Sequence, residues 1–304
     1  MLYFSTLCTA ARDGQRERAC CETANFYVFK ALGKRFAQQT NFAAIRKDPP
    51  MLLFLELIPY IVIFIFGITI GSFLNVCIYR MPLHESIVTA PSHCMTCGSR
   101  LHWYDMVPVF SWLILGGKCR NCKTKISVQY PVIEALNGAL YVLVCAVNGL
   151  NGMSAIYCLM TSALIVLSLI DWRTYEIPIS VNVFLGILGI AAVVVQPEAW
   201  MTHLVGALCV SGILLVIYLV SGGRAIGGGD IKLMAACGLI LGWQPIILAF
   251  FLGCIIGSVI HLIRIRVSGA GHMLAMGPYL SAGIFIAALW GNSWIHWYMG
   301  MLGI

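Results

Sequence analysis

Residues 153–195 read MSAIYCLMTSALIVLSLIDWRTYEIPISVNVFLGILGIAAVVV, two apolar runs joined by a polar turn from Asp171 to Glu176. Each run approaches the roughly 20 residues that a helix needs to cross a hydrocarbon core of about 30 Å. Pro178, just after the turn, suits the start of the second helix. The pattern recurs along the chain, with apolar runs near 57–79, 131–149, 202–220, 233–243, 245–263 and 274–295 beside the pair at 153–170 and 177–195. The expected fold is an all-α polytopic membrane protein with about eight transmembrane helices. The run at 233–243 is short and glycine-broken, and the Gly242 to Pro245 turn separates it from the next.

Composition agrees: 60% of the residues are hydrophobic and 10% charged, against about 25% charged in soluble domains. The formal net charge of +7 does not mark a nucleic-acid binder. The first 50 residues hold eight basic residues against four acidic ones. Basic residues elsewhere gather at helix ends, where they set topology and meet anionic membrane lipid. The loop from Arg80 to Tyr130 carries Arg80, Arg100, Lys118, Arg120, Lys123 and Lys125, which places it on the cytoplasmic side. Alternating from there puts the turns at Asp171 and at Asp230 on that same side. The chain divides into a basic N-terminal extension (1–50), a first transmembrane helix (51–80), a cytoplasmic loop (81–130) and a transmembrane core (131–304). Met51 opens MLLFLELIPYIVIFIF and reads as the biological start, with the extension lacking a secretory h-region.

The loop holds the strongest local pattern. Cys94 and Cys97 are followed, after 21 intervening residues, by Cys119 and Cys122. Paired CxxC knuckles let four thiolates converge on one zinc ion, and Gly98, Gly117 and Lys118 suit hairpin-like turns. Four Cys close the coordination sphere, so the zinc expected here is structural. It would supply folding energy to a loop with little core of its own. The alternatives are two disulfides or reactive thiols, and a reducing cytoplasm opposes stable disulfides. The remaining cysteines from Cys77 onward, at 77, 145, 158, 209, 237 and 254, lie singly in apolar runs.

Charge is scarce, so Asp171 and Asp230 stand out as the chemical candidates. Two carboxyls on one side of a helix bundle can share a proton. The ionised member then takes a proton from attacking water while the protonated member donates to the oxyanion and the leaving amine. Gly227, Gly228 and Gly229 ahead of Asp230 permit an unusual turn and the close approach of another backbone. The alternatives are a flexible interhelical turn for the glycines and interfacial anchoring for the aspartates.

Together these residues resemble the bacterial type IV prepilin peptidases, GxGD-type intramembrane aspartic proteases. The resemblance rests on GSFLNVCIYRMP (71–82), the two CxxC pairs, ISVQYPVIEAL (126–136), IDWRTYEIP (170–178), GGGDIKLMAACG (227–238) and MGPYLSAG (276–283), and covers about residues 55–285. It implies that Asp171 and Asp230 are catalytic, that Gly227 and Gly229 form the GxGD element, and that Cys94, Cys97, Cys119 and Cys122 bind metal. It further implies cleavage of the short basic leader from prepilins or pseudopilins at the cytoplasmic face of the bacterial inner membrane. S-adenosylmethionine-dependent N-methylation of the new terminus would follow. Asn75, Arg80 and Glu134 occupy family-like positions and read equally as polar anchors or packing residues. Two other functions use the same features: a proton-coupled transporter with the aspartates as relay groups, and a noncatalytic scaffold docking through its zinc loop. A transporter would set the aspartates deeper and show broken midplane helices; a scaffold would tolerate Asp171→Asn and Asp230→Asn.

Overall fold

The computed structural model describes residues 50–88, 92–224, 226–268 and 274–303; the expected N-terminal extension lies outside them apart from its last residue. The chain separates into two units, Met1–Leu57 and Ile58–Ile304, and the second carries the core and the site. The helices are α1 (Pro50–Arg80), a short α2 (Phe110–Ile114), α3 (Gln129–Asn148), α4 (Gly152–Thr174), α5 (Ile179–Val195), α6 (Trp200–Ser221), α7 (Gly228–Leu241), α8 (Trp243–Ser268) and α9 (Gly277–Met301). Each of the eight expected apolar runs coincides with one of them. No regular strand occurs among the described residues, and the two β-bridges lie in the cysteine loop.

The connections follow from local chemistry. Asn151 caps α4, its side-chain oxygen accepting the Ser154 N–H at 2.9 Å. α6 ends on Gly222 in the left-handed region, φ 60, and Gly242, φ 86, breaks the chain between α7 and α8. The Gly242 break is the one expected from sequence. α7 begins ahead of its apolar run, however, so Asp230 sits in the first turn of a helix and not in the turn before it.

Five segments are long and apolar enough to cross a membrane: Leu55–Leu83, Gln129–Asn148, Gly152–Thr174, Pro197–Ser221 and Trp243–Val267. Of the α4 window, 72% is buried, against 22% in the α6 and α8 segments, so α4 runs through the centre of the bundle. Its Met160, Leu167 and Ile170 pack with Leu185 of α5, Leu233, Met234 and Ile240 of α7, and Leu280 and Ile284 of α9 in one core. Outside it, large apolar side chains such as Ile61, Val62 and Phe66 of α1 and Leu208, Ile213 and Leu219 of α6 stand exposed. Soluble proteins seldom show such extensive apolar surface, and a polytopic membrane protein turns it to lipid.

Without a hydrophobic drive between helices in lipid, close packing and internal hydrogen bonds hold them together. α6 and α7 meet backbone to backbone: a Cβ on Gly206 would lie 2.4 Å from the Gly238 carbonyl oxygen, and one on Gly238 would lie 2.1 Å from that of Gly206. α1, α3 and α4 are joined by a buried polar chain. Asn137 donates to the Gly67 carbonyl at 2.7 Å, Ser162 donates to Asn137 Oδ1 at 2.9 Å, and the Tyr141 hydroxyl lies 2.8 Å from that of Ser162.

Candidate active site and metal centre

Asp171 lies near the end of α4 and is 5% exposed. The helix stops three residues later, at Thr174, because Tyr175 turns left-handed, φ 56, and returns its N–H to the Asp171 carbonyl at 2.9 Å. The Asp171 side chain meets the start of α9, where the Gly277 N–H donates to Oδ2 at 2.8 Å. A helix N-terminus offers unpaired N–H groups and a positive dipole end, a ready seat for a carboxylate. Only glycine fits there: a Cβ on residue 277 would stand 2.7 Å from Oδ2 and 2.9 Å from Leu167 Cδ2.

Asp230 is half-buried in the first turn of α7, with Gly227 as N-cap. The glycines before it act by closeness and not by an unusual turn. Gly227 is extended at φ −71, and Gly228 and Gly229 are already helical. A Cβ on Gly229 would lie 2.9 Å from the Ile177 Cβ, and one on Gly227 would lie 3.2 Å from Asp230 Oδ2. Gly229 therefore lets the start of α7 press against Ile177 in the loop after Asp171. Gly228 has open space around its would-be Cβ.

Both aspartates line one cavity of about 640 Å³, and burial first, then the negative charge of Asp171, raise the Asp230 carboxyl above the usual carboxylate range. Its walls come from the short turn after α1 (Met81, Pro82, His84), the junction of α4 and α5 from Thr174 to Ser180, and Gly227 to Asp230. Sequence reasoning missed His84, Tyr175, Glu176 and Gly277. His84 shares the left-handed φ of 56 with Tyr175, and two such non-glycine residues on one rim are local strain of the sort functional sites hold. Among the described residues no Lys or Arg lines the cavity, whereas Asp171, Glu176 and Asp230 do.

The four loop cysteines also converge. Their sulfurs all lie within 4.8 Å of one another, with Cys94 and Cys122 at 3.8 Å. Zinc–thiolate bonds of about 2.3 Å give a tetrahedron with edges of about 3.8 Å, so the cluster fits a zinc site with little contraction. The two knuckles repeat each other. In the first, Cys94 N–H donates to the Ser99 carbonyl at 2.9 Å and Gly98 N–H to the Cys94 carbonyl at 2.8 Å; in the second, Cys119 N–H donates to Thr124 at 2.9 Å and Lys123 N–H to Cys119 at 3.1 Å. Bridges His93–Arg100 and Lys118–Lys125 close them. Gly98, φ 69, turns the first knuckle as expected, but Lys123, φ 60, turns the second; Gly117 and Lys118 precede that turn. A hydroxyl two residues beyond the second Cys faces its sulfur in each knuckle, Ser99 at 3.0 Å from Cys97 and Thr124 at 3.3 Å from Cys122. Hydrogen bonding from Thr124 holds the Cys122 thiol down to about 6. Arg120 braces the loop through an ion pair with Asp105 at 2.7 Å.

A helical membrane bundle with two aspartates on the wall of one cavity and a separate tetracysteine loop defines the class; the family follows from comparison with known proteins. Residues 65–148 match the Bacterial Peptidase A24 N-terminal domain and residues 158–262 the Type IV leader peptidase family. A Prepilin leader peptidase/N-methyltransferase of Pseudomonas putida is 31% identical over 79% of this chain and 93% of its own length. One of Aeromonas salmonicida is 30% identical over 83% of this chain and all of its own, and one of Bacillus subtilis is 31% identical over 79% of this chain and 98% of its own. No solved structure matches the chain. The chain belongs to the type IV leader peptidase family.

Proposed function

We propose that this protein removes the leader from prepilins or pseudopilins with Asp171 and Asp230 as the catalytic pair. The carrying observation is that residues 59 positions apart, on α4 and α7, line the same cavity, close enough for the charge of Asp171 to act on Asp230. Neighbouring carboxyls share one proton. The carboxylate accepts a proton from water as the water attacks the scissile carbonyl, and the protonated partner donates to the developing oxyanion. That proton inventory then serves the leaving amine, and no covalent enzyme intermediate forms. The Gly277 N–H fixes Asp171 Oδ2, leaving its other oxygen for water.

Three carboxyls, Asp171, Glu176 and Asp230, against His84 on the described wall favour a substrate with a cationic flank. A membrane segment that keeps its N-terminal flank in the cytoplasm carries Lys or Arg there, and Glu176 stands exposed on the wall beside the pair. The basic residues of the cysteine loop orient that loop and the cavity towards the cytoplasm of the inner membrane. Zinc held by Cys94, Cys97, Cys119 and Cys122 is structural, because four thiolates leave no open position.

The relatives' second named activity extends the proposal to N-methylation of the new terminus with S-adenosylmethionine. Among the described residues no strand leads into a glycine-rich turn, and N-methylation rests on the relatives' names. Co-expression with prepilins from the same genome, read by intact mass, tests the proposal: loss of the leader mass supports it, and unchanged mass for every prepilin contradicts it. A further gain of one methyl group reports the second activity.

A further inference from the structure

We infer that residues Met106 to Leu115, between the two cysteine knuckles, form a wedge that lies in the lipid interface. Within this segment Phe110, Leu113 and Ile114 are 58%, 60% and 82% exposed, and Met106 and Val107 are exposed beside them. An apolar patch of this kind on a polar metal loop needs a cover. Its depth identifies the cover as lipid. The Val109 N–H donates to Glu134 Oε2 at 2.7 Å, and Glu134 lies in the second turn of α3, a helix long and apolar enough to span the membrane. Five residues from Gln129 to Glu134 rise about 7.5 Å along the helix, while side chains lean back towards its N-terminus. The wedge is thus pinned level with the first turns of a spanning helix, the depth at which interfacial segments rest about 5–10 Å into the headgroup and acyl boundary.

Two further features agree. Val109, a β-branched residue, holds φ 61, an unfavourable conformation that the bond to Glu134 secures. Beyond the wedge, Lys118, Lys123 and Lys125 stand exposed, placed to meet anionic headgroups once the apolar part is inserted. The wedge is also tied to the base of the second knuckle, Trp112 Nε1 donating to the Ile126 carbonyl at 3.3 Å, three residues before α3. Besides its covalent ends, the cysteine loop is thus tied to α3 through the wedge by the Val109–Glu134 bond.

The test uses the full chain in phosphatidylcholine/phosphatidylglycerol nanodiscs, with a genetically encoded dansyl amino acid at position 110, 114 or 95. Met95, 82% exposed on the first knuckle, serves as the aqueous control. The wedge predicts a loss of dansyl intensity at 110 and 114 when acyl chains are brominated, with protection from aqueous iodide, and the reverse at 95. Iodide quenching at 110 and 114 equal to that at 95 overturns the inference. Protection at both positions from iodide and from brominated lipid alike also overturns it, since protein would then be the cover.

Discussion

Replacing Gly277 by Ala tests how the Asp171 carboxyl is held. The new Cβ would stand 2.7 Å from Asp171 Oδ2 and 2.9 Å from Leu167 Cδ2, so the helix start must withdraw by about 0.7 Å to reach ordinary contact at 3.4 Å. That movement stretches the 2.8 Å bond from the Gly277 N–H beyond useful length. A hydrogen bond to a charged group contributes about 1.5–3 kcal/mol, and a misplacement near 1 Å at a catalytic group costs about 100-fold in rate. Gly277→Ala should lower kcat about 100-fold while leaving KM for the prepilin near that of wild type, because Gly277 does not line the cavity. The assay is initial-rate cleavage of a purified prepilin by detergent-solubilised enzyme, with thermal unfolding followed in parallel. A kcat within about threefold of wild type in a normally folded variant would refute the reasoning.

Gly229→Ala brings a Cβ to 2.9 Å from that of Ile177 and should cut cleavage at least tenfold, with the double variant Gly229→Ala/Ile177→Ala recovering part of the loss, as a double-mutant cycle on cleavage rate will show. Lys123→Gly should stabilise the cysteine loop by about 1 kcal/mol, since Lys123 holds φ 60 where only glycine is free of strain; limited proteolysis of the loop against denaturant measures it. Without metal, the Cys122 thiol is held at about 6 against an ordinary 9.0 by Thr124. Its contribution to loop folding is therefore complete above the unfolded value and lost as pH falls from about 9 to about 6. Proteolytic protection of the metal-free loop should follow that slope, and Thr124→Val should flatten it.

The helices were legible because apolar runs near the bilayer length are separated by turn residues such as Gly149, Gly222 and Gly242, whose effect is local. Asp171 and Asp230 were legible because charge is scarce, and the four cysteines because CxxC spacing is short-range. What escaped was set by distant contacts. Nothing near Gly277 announces that its N–H meets Asp171, 106 residues away, or that Val109 meets Glu134. Glycine's low helix propensity made 227–229 read as a turn, whereas packing against Ile177 lets α7 begin at Gly228. The turning residue of the second knuckle was misread for a related reason. Gly117 advertises conformational freedom, but the repeated hydrogen bonds of the two hairpins place the left-handed residue at Lys123.

The most direct test of the paired-aspartate account is the single-turnover cleavage rate of Asp171→Asn, Asp230→Asn and the double variant, in membranes where all three insert at wild-type levels. If the two carboxyls work as one unit, each single variant loses at least about 1,000-fold and the double loses no more than the worse single. Cleavage near the wild-type rate by either single variant would contradict the account.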